Sequence, residues 1–164
     1  RLQGDWSSDV CSSDLTRSEQ LKIKAHEQDV NVLAWNPLVG ELIATGSDDG
    51  SFKVYDIRHS NEHMAHFEYH NAPITSVSWH PTEETALCVS SADNTVTLWD
   101  MAVEEDEDDE GQEQLEGIEE FPPQLLFLHQ GQKSIMETMW HPQLPGVVIS
   151  TALDGFNIFK PNNF

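Results

Sequence analysis

Short runs of β-branched, aromatic and other apolar residues, each bounded by Asn, Asp, Gly or Pro, recur along this chain. Residues 30–35, 42–47 and 52–56 form one set, with Asn36-Pro37 after the first run and Asp48-Asp49-Gly50 between the other two. The second set is 74–79, 87–91 and 96–100, with Asp93-Asn94 at its turn; the third is 135–140, 147–150 and 156–159, with Asp154-Gly155. Such runs predict β-strands, and the Asp-Gly and Asp-Asn pairs predict tight hairpins. A proline lies two residues past each of Trp35, Trp79 and Trp140. Proline lacks the N–H that a central ladder needs, so each strand stops there.

The three sets are copies of one unit. Trp35 to Asp49, Trp79 to Asp93 and Trp140 to Asp154 all span 14 residues. Trp35 and Trp79 are 44 residues apart and Trp79 and Trp140 are 61 apart; the surplus of 17 is the length of a polar run at 104–120. A period near 44 built from short strands predicts an all-β fold, a β-propeller with one blade per copy. Residues 27–69 make one blade, 70–128 a second with an insertion at 104–120, and 129–164 a last blade without its outer strand. Residues 16–26, through Leu21 to Lys24, read as the end of a preceding blade, whereas residues 1–15 (RLQGDWSSDVCSSDL) match no blade pattern and read as a non-native leader. Propellers typically close with four to eight blades, so three copies are expected to be the C-terminal part of a ring, taken as seven-bladed.

Charge sharpens this picture. The chain has 164 residues with 29 acidic and 8 basic side chains, a net charge of −21. Eleven of the acidic residues, and none of the basic ones, fall in the insertion at 104–120, which leaves a body of net charge −10. Such a balance argues against direct nucleic-acid binding through phosphate neutralisation and for a basic protein partner. Two cysteines, Cys11 and Cys88, make no disulfide framework, which points to a reducing compartment. No run is long and apolar enough for a membrane span. No cofactor is implied.

The stretches His26…SDDGSFKVYD, His70…SADNTVTLWD and His129…ALDGFNIFK resemble the WD-repeat family, although only Trp99-Asp100 keeps the signature dipeptide. The resemblance implies a buried network in each blade of a His, a strand hydroxyl, the turn Asp and a Trp. By position these are His26, Thr45 and Asp49 with Tyr55; His70, Asp93 and Trp99 with Val89 at the hydroxyl place; and His129, Ser150 and Asp154 with Phe159. None is complete on this reading, so apolar packing is expected to dominate. The same residue types could form a hydrolase triad, but recurrence in every copy favours a structural role over a single asymmetric site. His59, His63, His66 and His70 have a spacing that gathers metal ligands only on a helix, and a loop running into a strand is predicted there instead.

An acidic loop ending in Phe121-Pro122-Pro123 and followed by QLLFLHQG is similar to the histone-binding and ribosome-assembly branch of that family. That resemblance implies a non-enzymatic scaffold or chaperone for basic proteins, a ribosomal protein or histones, in the nucleus and nucleolus and also the cytoplasm. The expected contact residues are Glu104, Glu105, Asp106, Glu107, Asp108, Asp109 and Glu110, with Pro122, Pro123, Leu125 and Phe127 shaping a groove beside them. A plain solubilising loop is the simpler reading of the acidic run. From a different class, Tyr55-Asp56-Ile57-Arg58 nearly matches the Trp-Asp-x-Arg ending of cullin-ligase substrate receptors, which would make Arg58 an adaptor contact.

Overall fold

The computed structural model describes residues 22–59, 62–103 and 121–162. Three antiparallel sheets follow one another in chain order. The first contains β1 (Val30–Trp35), β2 (Leu42–Ser47), β3 (Ser51–Asp56) and β4 (Ala65–Glu68); a short 3₁₀ turn, Ile57–His59, follows β3. The second contains β5 (Ile74–Trp79), β6 (Ala86–Ser91), β7 (Thr95–Asp100) and β8 (Leu125–Gln130). The third contains β9 (Ile135–Trp140), β10 (Val148–Ala152) and β11 (Gly155–Phe159). β5 packs against both β1 and β9, so the first strands of the three sheets adjoin. Lys22 to His26, expected as an outer strand, enter no ladder among the described residues.

The sheets stack face to face, and strand alternation divides the core. Leu87 and Val89 of β6 and Trp99 of β7 face the first sheet, where they join Ala44, Phe52, Val54, Ile74, Val77 and Trp79. Cys88 and Leu98, one residue out of phase, face the third sheet and meet Trp140 and Val148. Every residue of β6 is therefore buried, as in any sheet covered on both sides. The outer faces of the end sheets differ: Leu33 and Trp35 in the first, and Phe156 and Ile158 in the third, are largely exposed.

Two devices shape the strand ends. After each Trp, a side chain caps the turn. Asn36 Oδ1 accepts the amides of Leu38 (2.9 Å) and Val39 (3.0 Å), His80 Nδ1 that of Glu83 (3.0 Å), and His141 Nδ1 those of Gln143 and Leu144 (3.0 Å each). This explains why Asn or His stands between Trp and Pro in every copy. The β2–β3 and β6–β7 hairpins each need one left-handed residue, supplied by Gly50 (φ 82°) and Asn94 (φ 70°). A Cβ at Gly50 would also strike the His70 carbonyl oxygen.

One irregularity lies in β8. Leu98 pairs with Phe127 but Trp99 pairs with Leu125, leaving Leu126 as a bulge. The extra residue turns the strand over. Leu125 packs against the core shared with the first sheet, and Phe127 against the one shared with the third, 6.0 Å from the Phe159 ring.

Candidate functional site

The middle sheet contains a complete buried network. His70 Nδ1 lies 2.9 Å from Asp93 Oδ2, His70 Nε2 lies 2.9 Å from Thr97 Oγ1, and Trp99 Nε1 donates to the same hydroxyl at 2.8 Å. With the imidazole proton on Nδ1, the Trp99 indole donates to Thr97, the Thr97 hydroxyl donates to His70, and His70 donates to Asp93. Asp93 also accepts the Thr95 amide (3.0 Å) and hydroxyl (2.5 Å). Burial alone would raise its pKa, but the bonds from His70 and Thr95 outweigh that and hold the carboxyl at about 2.

This corrects the expectation that Val89 leaves the network short of a hydroxyl. Val89 and Thr97 are cross-strand partners, as are Thr45 and Lys53 in the first sheet. The hydroxyl has moved to the opposite member of the pair. In the first sheet His26 bonds Thr45 Oγ1 through Nε2 and Ser51 Oγ through Nδ1, both at 3.0 Å, and Ser51 passes the link to Asp49 at 2.6 Å. Tyr55 at the Trp place donates to the Ala25 carbonyl instead (2.9 Å).

In the third sheet the expected trio does not assemble. His129 lies in β8, its ring stacked 4.3 Å from that of Phe159, while Ser150 donates to Gln132 and Asp154 accepts the Lys133 amide. The cause is spacing. His26 and His70 stand nine residues before their Trp, and nine before Trp140 is Gly131, with buried Gln132 beside it. Counting back from the tryptophan would have found this; matching by residue type did not.

The Thr97–His70–Asp93 chain matches the order of a nucleophile–base–carboxylate triad, but Thr97 is 0% exposed and its oxygen is engaged by the indole. The network ties the segment before β5 to β7 and to the β6–β7 turn, and presents no nucleophile to a substrate. The four-histidine series is likewise dispersed: His63 and His66 rings touch at 5.3 Å, His59 sits beside Asp56 and His70 is in the network.

Glu104, Glu105, Asp106, Glu107, Asp108, Asp109 and Glu110 lie outside the described residues, as do residues 1–15. The root of the insertion is described and closed. Gln124 Nε2 donates to the Val103 carbonyl (3.1 Å), the Asp100 amide to the Gln124 carbonyl (2.9 Å), and the Leu125 amide to the Pro122 carbonyl (2.9 Å). Pro122 and Gln124 line a cavity of about 420 Å³ with Met64, Phe67 and Met101 along β4. A second cavity of about 440 Å³ is lined by Tyr69, Asn71, Asp93, Phe121 and Gln130, among others. Pro122, Leu125 and Phe127 do not share one groove: the bulge directs Leu125 into one core and Phe127 into the other. Tyr69, which the sequence did not single out, borders both cavities, and Phe121 faces it from the second, their ring centroids 6.3 Å apart.

At the end of β3, Asp56 grips Arg58 through a forked ion pair: Nη2 to Oδ2 is 2.6 Å and Nε to Oδ1 is 3.0 Å. The bonds from Arg58 hold the Asp56 carboxyl at about 2. The Arg58 side chain remains 60% exposed.

Successive antiparallel sheets in a stacked array, with Trp-x-Pro strand ends and a His–Asp–Thr–Trp network, define a segment of a WD-repeat β-propeller. The chain belongs to the β-propeller family described as "Nucleolar protein 10-like, N-terminal domain", whose model matches residues 6–147. It is 43% identical, over 85% of its length, to "Ribosome assembly protein rrb1" of Schizosaccharomyces pombe. It is 64% identical, over 27% of its length, to "Glutamate-rich WD repeat-containing protein 1" of Dictyostelium discoideum. These relatives place it in the ribosome-assembly branch of the WD-repeat proteins. The chain spans 40% and 9% of the lengths of these two relatives. A chain in "Crystal Structure of Mitotic Checkpoint Complex" superposes with a TM-score of 0.66 at 19% identity, over 85% of this chain and 38% of that one, a likeness of fold alone.

Proposed function

We propose that the protein is a non-enzymatic scaffold that binds basic proteins during ribosome assembly, with the insertion at 104–120 as its recruiting arm. The observation that carries this reading is eleven carboxylates within 17 residues, borne on a connection whose two ends are tied together at Val103 and Gln124. A closed root makes the arm an appendage of a rigid sheet, so charge can be gathered there without loosening the fold. A Lys/Arg-rich ribosomal protein segment is the partner that best suits the relatives' role, and histones suit the same charge. The nucleus and nucleolus are the corresponding compartments. Titrating the full chain with a Lys/Arg-rich ribosomal protein at rising salt tests this: the Debye length falls from about 10 Å at 0.1 M to about 3 Å at 1 M, so affinity should drop steeply. Salt-insensitive binding, or binding unchanged after carboxylates 104–110 are replaced by amides, would refute the arm.

A second reading, a substrate receptor of a cullin-type ubiquitin ligase, rests on Arg58 alone. Its guanidinium is exposed yet held in one orientation by Asp56, a geometry suited to an adaptor contact. Arg58→Ala tested by adaptor pull-down separates this from the simpler role of closing the strand end.

A further inference from the structure

We infer that the cavity between β4 and β8, walled by Tyr69 and Phe121 with Asp93 beside them, is a socket for one cationic side chain, lysine or arginine, of the basic partner. This inference rests on the proposed function and locates where the recruited segment is gripped. Three observations carry it. First, Tyr69 and Phe121 border a space of about 440 Å³ and meet at a 44° tilt; ring faces attract ammonium and guanidinium groups. Second, Asp93 accepts bonds from His70 and from Thr95 and presents a carboxylate to that space. Asn71 and Gln130 add side-chain amides, and no residue lining the cavity is basic. Third, Phe121 is the first residue after the acidic insertion. A cationic segment drawn in by the insertion therefore meets the socket on the same connection, at high effective concentration. Phe121 is 49% exposed although it touches Tyr69, so its ring remains available for a ligand to cover.

The test uses the full chain and a fluorescein-labelled oligo-arginine peptide, read by polarisation. Phe121→Ala and Tyr69→Leu should each weaken binding about two- to five-fold, the range of a single exposed cation–π contact. Tyr69→Phe should bind as the parent does. Phe121 lies outside the core clusters, so its variant keeps the test sound if Tyr69→Leu melts early. If Phe121→Ala and Tyr69→Leu both bind like the parent while amide replacement of residues 104–110 weakens binding, the socket is refuted and the recruiting arm stands. If amide replacement has no effect but the ring variants weaken binding, the arm is refuted and the socket stands.

Discussion

Val89 and Thr97 face each other across β6 and β7, and the hydroxyl of Thr97 does the work that the repeat pattern assigns to position 89. A buried hydrogen-bond node can thus migrate to the other strand of a pair, because cross-strand partners point to the same side of the sheet and reach the same imidazole.

Replacing Thr97 by Val removes the node while keeping the shape. His70 Nε2 and Trp99 Nε1 both lose their buried partner, so the loss should be about 1–3 kcal/mol in a denaturant melt. The double variant Val89→Thr with Thr97→Val restores the arrangement that Thr45 shows with His26 and should recover most of that loss. No recovery would mean that the strand choice is not interchangeable.

Gly46 leaves no room for a side chain. An added Cβ would stand 2.5 Å from Ile74 Cγ2 and 2.8 Å from Val32 Cγ2. Gly46→Ala should cost about 1–3 kcal/mol through overpacking. Pairing it with Ile74→Ala should be non-additive, since the second change removes Ile74 Cγ2, the nearest atom struck, although Ile74 Cβ and Val32 Cγ2 stay at 2.8 Å.

Acid should destabilise the fold in two stages. Burial lowers the pKa of His26, His66, His80 and His129 below 6.5. A histidine held neutral when folded favours unfolding once the unfolded chain begins to protonate, so stability is full above 6.5 and falls as pH drops below it. Asp56 and Asp93, held at about 2, contribute stability above 3.8 that is lost as pH falls from there towards 2. Melting temperature against pH should show both declines, and His80→Gln should reduce the upper one. A flat profile from pH 7 to pH 5 would contradict the histidine part.

Cys88 should resist alkylation in the native protein. Its side chain is fully buried between the middle and third sheets, and burial pushes the thiol up to about 12. Peptide mapping after iodoacetamide at pH 8 should find Cys88 unlabelled until denaturant is added.

The strands were legible because each copy ends its first strand with Trp, a capping Asn or His, and Pro; Trp35, Trp79 and Trp140 close β1, β5 and β9 as expected. The networks were legible only in part. The position of Thr97 depends on which residues pair across β6 and β7, whereas His129 was misplaced by matching residue type over spacing: it stands 11 residues before Trp140, not nine. Tyr69 carries no motif, Phe121 stands out only as the residue before Pro122-Pro123, and the two are 52 residues apart. Only folding reveals their proximity.

The bulge at Leu126 has a mechanical consequence. Because Leu125 is seated in one inter-sheet core and Phe127 in the other, β8 rivets three sheets into a single cooperative unit. Parting either neighbour from the middle sheet requires the same strand to let go, and a pull on the chain just before it is shared by both joints.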